Sequence, residues 1–240
     1  MTSRIITQNH EIMLHNGEIV LKDTPRLAIF ETFKTKQEEL TGEAQRQRAI
    51  IVNLATQNNP SQMTRTAIAQ KIARENGTIW KNIYSGIFRD LDEILVPMGI
   101  VVEAGRLPLK RGPKALQEKG IPYYQLTQKG LLVSLALDEI VGRERILEKF
   151  FAEAKNIDKD FQEGVEILLK FVPRFIYSLF KGYVKSYCDG RLDNPLPLDK
   201  TLFIEASEEI IRIQKEFLES FVNMGKIEKE KTLNFLKNVN

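Results

Sequence analysis

The residues with the most evident chemistry lie between positions 81 and 89. Lys81, Asn82, Ser85 and Arg89 fall at i, i+1, i+4 and i+8, which is one side of a helix. Lysine and arginine can reach O6 and N7 of guanine, asparagine can pair with adenine, and serine can bond a base or a phosphate. At 1.5 Å per residue the set spans about 12 Å, the length of one stretch of major groove. Every amphipathic helix has a solvated face, so this pattern alone does not separate a groove reader from an ordinary surface.

Two further sets have the same affinity for phosphate. Between Gly105 and Gly120 the chain carries Arg106, Lys110, Arg111, Lys114 and Lys119 against one acid, Glu118. In Lys110-Arg111-Gly112-Pro113-Lys114, Gly-Pro sits between cations and gives a slim extended arm, suited to a phosphate strand or a narrow minor groove. A solvated surface loop has the same composition. Thr64, Arg65 and Thr66 open a helix, where free N–H groups and the dipole can hold a phosphate; plain N-capping uses the same residues.

Charge is unevenly spread. Residues 43–130 hold thirteen basic and seven acidic side chains, a net +6, whereas the whole chain of 240 residues is only +3. The positive excess therefore coincides with these candidate contacts, as a phosphate backbone requires.

Other chemistries find little support. The histidines are two, His10 and His15, and the single cysteine is Cys188. These cannot supply an intrachain disulfide or a zinc site of the usual ligand count. No phosphate-cradling glycine loop is present. His10 and His15 flank a predicted hairpin turn and are expected to be exposed. Asp90, Asp92 and Glu93 point in different directions on a helix and are expected on a solvated face rather than around a metal. Cys188, beside an apolar segment, is expected as a small core residue. The reading is of a non-enzyme with no cofactor. The N-terminus lacks the apolar run of a signal peptide, and Lys170, Pro173, Arg174 and Lys181 interrupt the greasiest stretch, so a cytoplasmic protein with no membrane span is expected.

The elements that must position these residues fall into three parts. In 1–42, Glu11–Leu14 and Glu18–Leu21 flank Asn16-Gly17 and predict a hairpin. Asp23-Thr24-Pro25 then predicts a helix start, with Leu27, Ile29, Phe30 and Phe33 on its buried side. In 43–138, helices are predicted at about 43–57, 64–75 and 78–96. Asn76-Gly77 closes the second, and Thr78 is placed to cap the third and joins its candidate contacts. Ile79, Ile83, Ile87, Leu91 and Ile94 form the inward stripe of that third helix, with Trp80 and Tyr84 read as core. Ile100–Val102 and Ile121–Leu126 are predicted strands, and Thr127 caps a fourth helix. The remainder, 139–240, reads as helical. Its aromatics Phe171, Phe175, Tyr177, Phe180, Tyr183 and Tyr187 suit a bundle core, a dimer interface or, less readily, a ligand pocket. After Asp199, one helix with Phe203, Ala206, Ile210, Ile213, Phe217 and Met224 along its side predicts a homodimer through 139–240.

The middle segment resembles a winged helix-turn-helix domain. The residues that carry the resemblance are Ala67-Ile68-Ala69, Asn76-Gly77-Thr78, Gly99-Ile100-Val101 and Tyr124-Gln125-Leu126-Thr127-Gln128-Lys129-Gly130, the last a frequent wing ending in microbial regulators of this type. It covers roughly 40% of the chain. Two departures are the length of the third helix and of the wing loop. The fold class expected is mainly α with local α+β character: a winged helix-turn-helix with a two-stranded wing, plus a helical C-terminal module. The resemblance implies a sequence-specific regulator of transcription that binds double-stranded DNA. Helix 78–96 would lie in the major groove, and the basic wing 105–120 on backbone or minor groove. Two alternatives remain open: a protein-interaction module in a larger assembly, and a DNA-binding protein of replication or plasmid maintenance. Nothing in the sequence identifies a small-molecule effector.

Overall fold

The computed structural model describes residues 4–7, 10–15 and 18–23 as backbone, and 25–36, 38–108, 120–154 and 157–237 with side chains. The chain is mainly helical, with two small antiparallel sheets.

Strands β1 (Arg4–Thr7), β2 (His10–His15) and β3 (Glu18–Asp23) form the first sheet in sequence order. The pairing of β2 with β3 is that of the expected hairpin, whose Asn16 and Gly17 lie outside the described residues, and β1 extends it by a strand that the sequence did not announce. The side chains of His10 and His15 lie outside the described residues.

Among the described residues of 25–41 no helix forms, contrary to the sequence expectation. The reason lies in α1 (Gly42–Thr56). Its buried Gln47 accepts from the Ala28 N–H at 2.8 Å, and its Arg48 donates to the Ile29 carbonyl at 3.1 Å. Backbone groups that a helix would use internally are thus bonded to α1. Leu27, Ala28 and Ile29 are buried in succession, so this stretch is enclosed by the core rather than laid on it along one apolar side.

The next elements are α2 (Arg65–Glu75), α3 (Trp80–Arg89) and a π-helical turn at Asp90–Leu95. Strands β4 (Val101–Leu107) and β5 (Ile121–Leu126) pair antiparallel with an irregularity between Glu103 and Gly105. Tyr124 of β5 also donates its N–H to the Met63 carbonyl, and Thr64 bridges to Tyr123, so the hairpin is seated against the start of α2. The basic loop tip, with Lys110, Arg111, Lys114 and Lys119, lies outside the described residues.

The Leu126–Gly130 run is a structural joint. Thr127 caps α4 (Gln128–Leu135), its hydroxyl accepting from the Gly130 N–H at 3.1 Å and donating to the Gly99 carbonyl. Lys129 donates to the Met98 carbonyl at 3.2 Å and lies over the Tyr187 ring; burial lowers its pKa from the usual lysine value. A Cβ on Gly130 would stand 2.2 Å from the Ile100 carbonyl oxygen, so only glycine fits. Every residue of α4 from Gly130 to Leu135 is buried, which makes it the central helix of the molecule.

Beyond α4 come α5 (Arg143–Glu153), α6 (Lys159–Phe171) and α7 (Pro173–Cys188). Pro173 starts a new helix after a break at Val172 rather than bending one helix. Tyr177, Phe180, Tyr183 and Cys188 are buried in the core, Phe175 and Tyr187 pack partly against it, and Phe171 is exposed. Two cavities of about 340 and 270 Å3 among the described residues are lined by other side chains. Burial pushes the Cys188 thiol up to about 12.

The helix expected after Asp199 is two helices, α8 (Lys200–Glu205) and α9 (Glu208–Asn223), followed by α10 (Lys226–Lys237). Asp199 caps α8 as expected, accepting from Thr201 and Leu202. The apolar row is cut at the Ala206–Ser207 junction: Phe203 is buried among Phe161, Phe180 and Tyr183, while Ile210, Ile213 and Phe217 remain exposed. One apolar cluster runs from Leu27 to Phe203 and crosses both expected boundaries, at 42 and at 138. No described helix is long and apolar enough to cross a membrane.

Asp138 and Glu139 join these layers. Burial works against both carboxylates. Lys181 and Arg143 bond Asp138, and Arg48 bonds Glu139, and these cations hold both pKa values below the usual carboxylate range. Groups depressed in this way contribute stability above their unfolded values of about 4 and lose it as pH falls through the folded values. The urea midpoint is therefore expected to drop below about pH 4, and to drop less steeply in Asp138→Asn. At Gly130 the closeness of the Ile100 carbonyl predicts that Gly130→Ala destabilises by about 1–3 kcal/mol, measured by urea unfolding.

Candidate nucleic-acid interface

The turn between α2 and α3 is built by backbone hydrogen bonds. Gly77 takes φ +61°, its N–H donates to Arg74, and the Thr78 N–H donates to the Ala73 carbonyl at 2.9 Å. These two bonds close α2 in a Schellman motif. Thr78 therefore finishes α2 instead of capping α3, and Ile79 occupies the N-cap of α3 with no side-chain bond. Ile79 is 64% exposed, which removes it from the expected inward stripe, whereas Ile87, Leu91 and Leu95 are fully buried.

Lys81, Asn82, Ser85 and Arg89 are all exposed, and share the outward side of α3. Trp80 and Tyr84 are half-buried and meet edge to face, with centroids 5.7 Å apart. Arg89 is not wholly uncommitted: its guanidinium lies 3.9 Å from Glu43 and 3.7 Å from Asp90. Lys81, Asn82 and Ser85 form the more open part of the row.

Behind this row stands an anchor at a residue that the sequence pattern puts on a solvated face. Asp90 is fully buried, and Arg46 of α1 donates to it at 2.7 Å. Arg46 reaches it by lying across α3 at Gly86, where a Cβ would stand 2.8 Å from the arginine Nε. Asp92, pointing another way, pairs with Arg65. Glu93 is exposed, as expected. The π-helical turn adds a residue to the coil, seen in the Val96 N–H bonding Leu91, and lets Asp90, Leu91 and Leu95 all be buried. Among the described residues no group of three or more His, Cys, Asp or Glu is placed to hold a metal ion.

The expected phosphate site at the start of α2 is occupied by structure. The Thr64 hydroxyl accepts from the Ala67 N–H, and the residue is buried. The Arg65 guanidinium lies over Phe88 at 4.8 Å and Tyr124 at 5.2 Å, besides its bond to Asp92. Burial opposes its charge, but the Asp92 bond and the fields of Tyr124 and Asp92 raise its pKa above the ordinary arginine value. Both residues serve to fix α2 to α3 and to β5. On the hairpin, Arg106 pairs with Glu103 at 2.7 Å and stays partly exposed. Lys110, Arg111 and Lys114 fall outside the described residues.

Compared with known proteins, the chain matches no family model, no curated protein and no solved structure.

The anchor generates a prediction. Arg46→Met removes the cation hydrogen-bonded to the buried Asp90 carboxylate and leaves only Arg89 at 3.7 Å, at a cost of up to about 3–5 kcal/mol. Gly86→Ala, which only displaces Arg46, should destabilise in the same direction by less. Urea unfolding of both variants checks this; wild-type stability in Arg46→Met would mean that the pair does not hold α3.

Proposed function

We propose that this protein binds double-stranded DNA as a sequence-specific regulator of transcription, through a winged helix-turn-helix formed by α1–α4 and the β4–β5 hairpin. The observation that carries the reading is the exposed row Lys81, Asn82, Ser85 and Arg89 on a helix anchored from behind by Arg46 and Asp90. A groove-reading helix needs adaptable donors and acceptors outward and a fixed axis inward. The tight α2–α3 turn and a two-stranded hairpin seated on the start of α2 support the same reading. So does the +6 charge of residues 43–130. In this reading α3 lies in the major groove, and the 105–120 loop follows the backbone or the adjoining minor groove.

A second reading is favoured by a specific observation. Ile79 and Phe88, at the N-cap and the last turn of α3, are 64% and 42% exposed, and apolar side chains at such positions suit a protein partner. The fold would then serve as an interaction module, since one fold hosts many functions. A role in replication or plasmid maintenance uses the same DNA surface as the first reading.

Fluorescence anisotropy of duplex DNA across a salt series tests the choice. Removing one cation that neutralises a phosphate flattens the log–log slope by about 0.9. Lys81→Ala/Arg89→Ala should weaken binding and reduce discrimination between sequences, and a Lys110/Arg111/Lys114 triple-alanine variant should flatten the slope by about two to three. Wild-type behaviour of the α3 variant would sink the major-groove assignment. A parent protein silent at low salt would favour the interaction module.

A further inference from the structure

Helices α9 and α10 contain no buried residue, unlike α1 to α8. Yet α9 is sharply amphipathic. Ile210, Ile213, Phe217 and Phe221 share one side, continued by the C-cap Met224, whose sulfur accepts from Thr232 of α10; the exposed Leu218 and Val222 lie beside it near Ile211, and Glu209, Arg212, Glu216 and Glu219 occupy the other side. Ile211, toward one edge of the apolar side, packs partly against the core, and Phe217 stacks on Phe221 at 6.0 Å. Ile213 is 53% and Phe217 39% exposed. Sixteen residues give a seam about 24 Å long.

The charges identify what covers this seam. Helix α9 opens with Glu208 and Glu209 and carries a net −2, whereas α10 opens with Lys226, alternates Glu228 and Glu230 with Lys229 and Lys231, and carries a net +2. Glu208, Glu209, Lys226 and Lys231 are all exposed. A parallel pair of α9 helices would set acidic start against acidic start. An antiparallel pair with Phe217 on a two-fold axis sets Ile213 against the partner's Phe221 and Ile210 against the partner's Met224. It also brings Glu208 and Glu209 to the partner's Lys226, with Lys231 about a turn and a half further along α10, and opposes the helix dipoles. The same patch then serves both subunits, as an isologous interface requires.

We infer that the occupant of the α9 face is a second copy of this chain, held by antiparallel α9 pairing with Glu208 and Glu209 of each α9 facing Lys226 and Lys231 of the other α10. The inference does not depend on DNA binding.

Light scattering of the 240-residue chain in solution, over a concentration series to about 100 µM, tests it. The parent is expected to show a doubled mass. Phe217→Glu, at an exposed position, should keep its circular dichroism and weaken the dimer roughly 30-fold or more. The charge variants read the orientation. Glu208→Lys/Glu209→Lys and Lys226→Glu/Lys231→Glu should each weaken self-association, and an equimolar mixture of the two should recover the doubled mass. A parent monomeric throughout, as if α10 folded onto its own α9, would overturn the proposal. A dimer indifferent to Phe217→Glu, or charge variants that fail to pair with each other, would do the same.

Discussion

The orientation of α3 depends on one buried carboxylate. Asp90 has no exposure to water, and the cation hydrogen-bonded to it comes from another helix, Arg46 of α1. Removing a charge from water is costly, and only close pairing offsets the cost. The two helices must therefore keep the relative position at which Arg46 crosses Gly86 and meets Asp90. A second pair, Arg65 with Asp92, sets the start of α2 against the same stretch. Two acids, separated by one residue on a single π-helical turn, thus face two different helices. An outward row of polar residues has a fixed direction only because these inward residues are fixed.

Much of this architecture was legible in local signals. Thr64, Thr127 and Asp199 each accept from backbone N–H groups at the start of a helix, and Asn76-Gly77 closes α2. These signals act over a few residues, so the sequence displays them directly. The failures share a different cause. Residues 25–41 carry apolar spacing compatible with a helix, but Gln47 and Arg48 claim their backbone groups from a distance. Asp90 and Asp92 looked like surface acids because their counter-ions lie 44 and 27 residues away. The Ala206–Ser207 break was hidden because Phe203 continues the apolar spacing of α9 while packing elsewhere. The Ser207 hydroxyl instead donates to the Leu179 carbonyl of α7, and Gly182 gives it room.

The candidate site divides in the same way. The α3 face followed from helical periodicity alone, and its four polar residues are exposed together. Arg65 and Thr64 stand at a helix start, where a phosphate could bind, but other partners within the fold occupy them. The Tyr-x-Leu-Thr-x-Lys-Gly run, which suggested a wing ending, has its own physical account: its Thr127, Lys129 and Gly130 bond or closely approach the 98–100 backbone. Such a run marks a strand-to-helix joint whatever the surface beyond it binds.

Helix α4 has a consequence for how the molecule is put together. From Gly130 onward it is buried on all sides, enclosed by α1 and β5 from one half and by α5 and α7 from the other. Neither half possesses this helix; both are built around it. A polypeptide ending at 138 would wet Leu132, Val133 and Leu135, and one beginning at 139 would lack the pillar on which α5 and α7 rest. The two halves thus share one folding unit, and they would melt in a single transition rather than as beads on a string.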